Sequence, residues 1–353
     1  MADARPRVWV SQPLFDDVVA QLEAHFQVEA TDAVTAYSPA DLAAKLSTLD
    51  GALITLNERV GAAEIANAPN LRAIANVGVG YNNLDIDALS AAGIVATNTP
   101  DVLTETTADL GFALLMAAAR RITESERWLR EGQWGQWSFG TMLGADIHGS
   151  TLGILGMGRI GQGIARRGHH GFGMKVLYHN RSRLPEAAER EVGAAYAGFD
   201  ELLAQADHLV LVLPYSAASH HIIDAVALAK MKPTATLVNI ARGGIVDEVA
   251  LADALANGRL AAAGLDVYEG EPQVRSELLA LRNVVLTPHI GSASLATRRA
   301  MVQLAVDNLI AALGAGPDAG RPPSAINATA IISIAGKAGA ATVGAPKTAD
   351  GKR

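Results

Sequence analysis

One stretch constrains the fold of this chain more than any other: residues 151–161, TLGILGMGRIG. Leu152, Ile154 and Leu155 form a short apolar run of the kind that makes a buried strand. Gly156, Gly158 and Gly161 follow in the spacing G-x-G-x-x-G, and residues 160–167 read as the helix that comes next. Each glycine has its own physical task. The first permits a tight strand-to-helix turn, the second lets a pyrophosphate approach the backbone, and the third lets helix and strand pack closely. The phosphates then rest on the free N–H groups and positive dipole end of the helix. In a chain with 34 glycines such a turn also arises by chance, so the setting matters. Here a strand precedes it, a helix follows, and a second strand at 174–178 lies one βαβ unit along.

The rest of the chain repeats that grammar. Strand-length apolar runs at 7–10, 51–55, 71–75 and 94–97 alternate with helical spacing at 14–26 and 60–68. Beyond the fingerprint come strands at 208–213, 235–240, 261–267 and 283–287, with helices at 199–206 and 246–257. Alternation of this sort implies parallel sheets whose ligands bind at the strand C-termini. Residues 104–130 read as one long helix, with Thr106 and Asp109 spaced as a capping box. A second long helix is expected at 295–313. The fingerprint sits mid-chain, so a dinucleotide domain is expected inserted within, or appended to, another α/β domain, and a helix after residue 292 that returned to the first domain would give two crossings between them. From residue 314 the chain turns to Ala, Gly, Pro, Ser and Thr, which reads as a loose tail.

Composition excludes several classes of function. At 353 residues there is room for two domains, and half the residues are apolar. A net charge of −7 speaks against a nucleic-acid or anionic-membrane surface, which needs a basic patch. Without cysteine there are no disulfides and no thiolate chemistry. The longest apolar run, residues 110–119, is too short to span a bilayer, and the first residues lack the apolar core of a signal peptide, so a cytoplasmic protein is expected. No His pair joins a carboxylate in a pattern such as H-E-x-x-H, and no metal site is expected.

The chemistry is expected where polar residues follow strands. Arg242, Glu271 and His289 each follow a different one, and in a parallel sheet these ends share an edge. Arg supplies an always-charged planar fork for a carboxylate and a keto oxygen. His can give or take the proton that accompanies hydride transfer, and a Glu beside an imidazole favours its charged form. The loop at 76–83, NVGVGYNN, carries two glycines that let backbone N–H groups face an anion. Trp134, Trp137 and Phe139 cluster among small residues at 131–144, as a subunit contact or as a loop packed on its own domain.

At this point the chain resembles the D-isomer-specific 2-hydroxyacid dehydrogenases over roughly residues 45–315. The resemblance is carried by NVGVGYNNLD at 76–85, LGILGMGRIG at 152–161, NIARGGIVDE at 239–248, GLDVYEGEP at 264–272 and LTPHIGSA at 286–293. It implies an α/β fold of two Rossmann-like domains with parallel sheets: a flavodoxin-like substrate domain from residues 1–103 and 288–315, and an NAD(P)-binding Rossmann domain from 104–287, with a tail at 316–353. It implies Arg242 as substrate-binding arginine, Glu271 as the acid paired with histidine, and His289 as acid–base. Val79 and Gly80 resemble the loop that receives the substrate carboxylate. Cofactor contacts are implied at Gly156, Gly158, Arg159, Ile160 and Gly161, and at Asn180, Arg181 and Ser182. Further contacts are implied at Thr107, Leu213, Pro214, Ile240, Ala241, Asp266 and Gly291. Family members are usually homodimers built through the cofactor domain.

One departure bears on the cofactor. NAD-preferring members usually carry an acidic residue after the second strand of the nucleotide domain, where it bonds the ribose 2′-OH and repels a 2′-phosphate. Here the strand runs into Asn180-Arg181-Ser182-Arg183. NADPH is therefore expected over NADH, which stays possible. The resemblance is strongest to bacterial glyoxylate/hydroxypyruvate reductases and 2-ketogluconate reductases, and the substrate is expected to be a small 2-oxo acid. An NAD-dependent phosphoglycerate dehydrogenase and a non-enzymatic, nucleotide-sensing corepressor on the same scaffold are the alternatives.

Overall fold

The computed structural model describes residues 5–327, which divide into two compact units. The first combines the described residues up to Leu103 with those from Leu295 onward, and the second is Thr104–Ser294. The expected return of the chain at residue 288 comes at Leu295, because the turn that carries His289 stays with the second unit.

The first unit is built on a five-stranded parallel sheet. Its strands are β1 (Arg7–Val10), β2 (Gln27–Ala30), β3 (Gly51–Ile54), β4 (Ala73–Asn76) and β5 (Val95–Thr97). They lie in the order β2-β1-β3-β4-β5, the flavodoxin-like arrangement, whose direction reverses between β1 and β3. Trp9, Ile54 and Ile74 bury one face under Leu42 and Leu46 of the Pro39–Leu46 helix and under Leu89. The Leu295–Ala312 helix packs against β3, β4 and β5.

The second unit holds a seven-stranded parallel sheet. Its strands are β6 (Thr151–Leu155), β7 (Lys175–His179), β8 (Ala194–Tyr196), β9 (His208–Leu211), β10 (Thr236–Asn239), β11 (Ala262–Leu265) and β12 (Val284–Leu286). The order β12-β11-β10-β9-β6-β7-β8 reverses direction between β6 and β9, at the strand that feeds the glycine turn. Alternate residues divide between two cores. Leu177, Leu209, Leu211 and Leu237 face one, while Val176, Tyr178, Val210 and Val238 face the other. Strands covered on both faces read as continuous apolar runs, which is why they are conspicuous in the sequence.

Three expectations need correction. The helix expected over 104–130 is two, Thr104–Ala119 and Ile122–Arg130. Between them Arg121 is left-handed (φ 52°), and the Ala119 carbonyl accepts from Ala145 N at 2.9 Å. Since the first helix begins at Thr104, Thr106 is not its cap, and Asp109 is paired with Arg167 instead. Second, the helix expected over 14–26 is reduced to Asp16–Val19 followed by a tighter turn, Ala20–Ala24. Third, the tail is tied down at its start. Ile326 N donates to Ala96 O at 2.8 Å, and Ala96 N donates to Asn327 Oδ1 at 2.8 Å. The remainder of that tail, 328–353, lies outside the described residues.

Candidate active site

The three glycines of the turn do without a side chain for two different reasons. Gly156 sits at φ +102°, and a Cβ there would come within 2.7 Å of Leu213 N. A Cβ on Gly161 would lie 2.4 Å from Gly156 O, so helix and turn can meet only at glycine. Gly158, at the start of the Arg159–Arg166 helix, faces open space. Two glycines thus serve close packing and the third leaves room over a helix N-terminus, as a pyrophosphate requires. The residues present fit a dinucleotide. Arg159 is exposed in the first turn of the helix, and Ile160 packs on the core. Leu213 and Pro214 follow β9, with Leu213 beside Gly156. Ile240 and Ala241 are buried at the end of β10.

At the end of β7, Asn180 Oδ1 accepts from Met157 N at 2.7 Å, which fixes the glycine turn to the neighbouring strand. Arg181 and Ser182 are exposed, and among the described residues neither has a hydrogen-bond or ionic partner. Arg183 is committed elsewhere: its Nε and Nη2 hold both oxygens of Glu189 at 2.8 and 2.7 Å. That pairing, with Tyr178 OH at 2.7 Å, pushes Glu189 down to about 2.

The ends of β10, β11 and β12 are in register, with Asn239, Leu265 and Leu286 side by side. The segments leaving them bring Arg242, Glu271 and His289 onto one edge. His289 Nδ1 meets Glu271 Oε2 at 2.8 Å. Glu271 is held in turn by Tyr268 N on Oε1 at 2.8 Å. Burial works to raise the Glu271 carboxyl, but the hydrogen bond and charge of His289 hold it below its ordinary value. Arg242 is half-buried, and its desolvation lowers it from the usual arginine range while the charge of Glu271 opposes that. The arginine turn is tight because a Cβ on Gly243 would lie 1.9 Å from the Tyr268 carbonyl carbon. Asn239 supports it, donating from Nδ2 to Arg242 O at 2.9 Å and accepting from Ala241 N at 3.0 Å.

Asp266 is 1% exposed and organises the turn that presents His289. Its carboxylate accepts from Ile290 N, Gly291 N and Thr287 Oγ1 at 2.7–2.8 Å, and its carbonyl accepts from His289 N at 2.9 Å. Burial pushes Asp266 up, and those hydrogen bonds oppose the rise. His289 itself is left-handed (φ 52°), which is uncommon for a residue with a side chain. Thr107 lies beside Gly291.

Val79 and Gly80 belong to the first unit, in the loop that leaves β4. There the carbonyls of Gly78, Val79 and Gly80 accept from Thr99 N (3.0 Å), Asn98 Nδ2 (2.8 Å) and Asn76 Nδ2 (3.1 Å). Among the described residues the N–H groups of Val79 and Gly80 have no partner. Pinned carbonyls and free N–H groups make a concavity suited to an anion.

The NAD-binding domain of the D-isomer-specific 2-hydroxyacid dehydrogenases matches residues 112–291. A glyoxylate reductase of Thermococcus onnurineus is 45% identical over 311 residues, 87% of this chain and 92% of that protein. The chain belongs to the D-isomer-specific 2-hydroxyacid dehydrogenases. A glyoxylate/hydroxypyruvate reductase B of Yersinia pestis is 46% identical over 310 residues, covering 88% and 94% of the two chains. Among solved structures, an NADPH-dependent glyoxylate/hydroxypyruvate reductase from Sinorhizobium meliloti in complex with NADP and malonate superimposes with a TM-score of 0.80. It is 35% identical and covers 92% of this chain and 98% of that one. The dehydrogenase is therefore an oxidoreductase that uses a nicotinamide dinucleotide.

Other polar contacts in the dehydrogenase were not singled out in the sequence. Glu248, 3% exposed and raised by burial, accepts from Glu269 N at 2.6 Å beneath the Glu271 loop. Its place inside NIARGGIVDE was the available signal. His221 Nε2 meets Glu269 at 3.2 Å and ties a second loop to the same place. With His220 these make the group of possible metal donors found among the described residues. The two imidazoles are stacked, 3.8 Å apart and 23° from parallel, so their lone pairs run side by side rather than converging on one point. No helix among the described residues is long and apolar enough to cross a membrane.

Proposed function

We propose that this dehydrogenase reduces glyoxylate or hydroxypyruvate, with 2-ketogluconate the next candidate, to the D-2-hydroxy acid and prefers NADPH. Hydride for the carbonyl carbon is the chemistry the dinucleotide supplies when bound. In this reading Arg242 grips the carboxylate and polarises the keto oxygen, and the N–H groups of Val79 and Gly80 receive the carboxylate. His289 donates from Nε2 to the oxygen that becomes the hydroxyl, while Glu271 on Nδ1 holds the ring's tautomer and orientation. The balance is a 2-oxo acid, a hydride and a proton giving a 2-hydroxy acid. The single observation behind the acid–base assignment is the 2.8 Å His289–Glu271 pair. Asn180 in place of an acid, with unpartnered Arg181 and Ser182 beside it, supports NADPH. Thr107, Asp266 and Gly291 would line the nicotinamide side. We further infer a homodimer that works in the cytoplasm.

The test is turnover of glyoxylate, hydroxypyruvate, 2-ketogluconate and 3-phosphohydroxypyruvate with each cofactor, followed by loss of reduced-nicotinamide absorbance. Saturable reduction of one of the first three with NADPH is expected. His289→Ala should lower kcat by roughly 10²–10⁴-fold, the usual worth of a general acid. Turnover confined to 3-phosphohydroxypyruvate with NADH would make the chain a phosphoglycerate dehydrogenase. Cofactor binding without turnover would favour the corepressor.

A further inference from the structure

The anion loop of the first unit hangs from a buried carboxylate that the proposed chemistry does not use. Glu58, 2% exposed, follows β3, and Ser11 and Gln12 follow β1, so the three meet where the sheet order reverses. Oε2 accepts from Ser11 Oγ (2.7 Å), Thr55 N (2.8 Å) and Thr55 Oγ1 (3.0 Å), and Oε1 from Gln12 Nε2 (2.6 Å). Among the described residues no cation pairs with it. A buried carboxylate is costly, and here it is stabilised by donors alone. Gln12 cannot turn its amide round, because Nε2 also donates to Thr35 O (2.8 Å) while Oε1 accepts from Thr35 N (3.1 Å).

What this carboxylate holds is the turn at 55–58, and that turn leads to the loop. The carbonyls of Thr55 and Glu58 accept from Asn83 Nδ2 at 3.1 and 3.0 Å. Asn83 Nδ2 also reaches Asn76 Oδ1 at 3.1 Å, which leaves Asn76 Nδ2 aimed at Gly80 O. Asn76 is fully buried at the end of β4. In a trans peptide the inward Gly80 carbonyl sets the Tyr81 N–H outward, and the bond to Asn76 pins the loop immediately after Val79 and Gly80. We propose that Glu58, Asn83 and Asn76 form a buried positioning relay that sets the Val79–Gly80 loop for the substrate carboxylate. This rests on the reading of that loop given above, and adds the residues that determine its affinity for 2-oxo acids.

Glu58→Gln is the decisive variant, because two mechanisms predict opposite signs. It removes a negative charge, so simple electrostatics would tighten an anion site. In the relay it sets an N–H against an N–H of Gln12 or leaves the Thr55 donors unpaired, so the loop loosens. Steady-state kinetics of the full chain with glyoxylate at saturating NADPH should show a KM for the oxo acid raised roughly tenfold, since small misplacements weaken oriented contacts. The kcat should stay within about threefold and the KM for NADPH should not move. A KM unchanged or lowered, with only a fall in Tm, overturns the relay. Asn76→Leu, which removes the donor to Gly80 O without adding charge, should raise the same KM and decides the matter if Glu58→Gln does not fold. Should the wild type reduce no 2-oxo acid, the reading of function fails on its own. Oxalate titrated calorimetrically then tests the relay, with binding to the wild type and at least tenfold weaker binding to Glu58→Gln as the expected result. Equal binding, or none to either protein, rejects it.

Discussion

At the scale of the residue, the proposed preference for NADPH rests on Asn180. Its Oδ1 caps Met157 N, and a carboxylate oxygen would do so equally well. Asn180→Asp therefore leaves the glycine turn intact while placing a negative charge where a ribose 2′-substituent would lie. The ratio of kcat/KM for NADPH to that for NADH should fall roughly 10–100-fold, the range of a charged hydrogen bond lost and a repulsion gained. A ratio that stays put would reject the assignment of this turn to the 2′-phosphate. The residues at the strand ends were legible because their types and their spacing after apolar runs pointed to one sheet edge. The supporting atoms were not. Nothing in the sequence says that Asp266 braces the His289 turn, that Arg183 is taken by Glu189, or that Glu58 underlies the anion loop. The Gly291–Asp266 bond spans 25 residues and the Arg183–Glu189 pair only six, and in neither case does spacing along the chain encode the pairing.

At the scale of the element, the buried strands were readable and the half-exposed ones were not. β2, Gln27–Ala30, and β8, Ala194–Tyr196, lie at sheet edges with partly exposed side chains; β2 alternates polar and apolar residues, and β8 is only Ala-Ala-Tyr, too short to stand out. The Pro39–Leu46 helix is missing from the expectations above, although Ser38, Pro39 and the four-residue spacing of Leu42 and Leu46 are the marks of a capped helix start. The break at Arg120-Arg121 was hidden, because the helical pattern runs through it and the cause lies at Ala145. One element can be tested by pH. The Glu186–Glu191 helix is fastened to β7 through Tyr178, Glu189 and Arg183. Burial and the Glu189 contact push Tyr178 up to about 12, and Glu189 lies at about 2 instead of 4.5. A depressed carboxyl stabilises the fold above its unfolded value and ceases to do so as pH falls through its folded value. Glu189→Gln should thus lower the urea midpoint at pH 7. The gap from wild type should narrow between about pH 4.5 and pH 2. A gap independent of pH would show that packing, not charge, fastens the helix.

At the scale of the whole molecule, the mid-chain fingerprint left the dinucleotide unit either inserted in another or appended to it, and the described residues up to Leu103 and from Leu295 form one unit. Contacts among the described residues do not cover the apolar surface of the other unit. Ile122, Leu129, Trp134, Trp137, Phe139 and Leu143 are all exposed within one stretch, Trp137 at 69% and Phe139 at 88%. The rings of Trp137 and Phe139 pack on each other, 4.8 Å between centroids, yet both still face water. Scattered apolar residues are ordinary on a surface, but six lie exposed within some twenty residues of this one segment, and we infer that it is a contact. A second copy of the chain is the partner we infer, since a symmetric dimer lets one such segment cover its equivalent. Large aromatics at the centre of an interface carry much of its energy. Trp137→Ser with Phe139→Ser should raise the dimer dissociation constant by roughly tenfold or more. Sedimentation velocity across a dilution series reads this directly, with a wild-type dimer and a variant that dissociates at higher concentration. A wild type that sediments as a monomer, or a double variant as tightly dimeric as the wild type, would mean that this segment serves some other purpose.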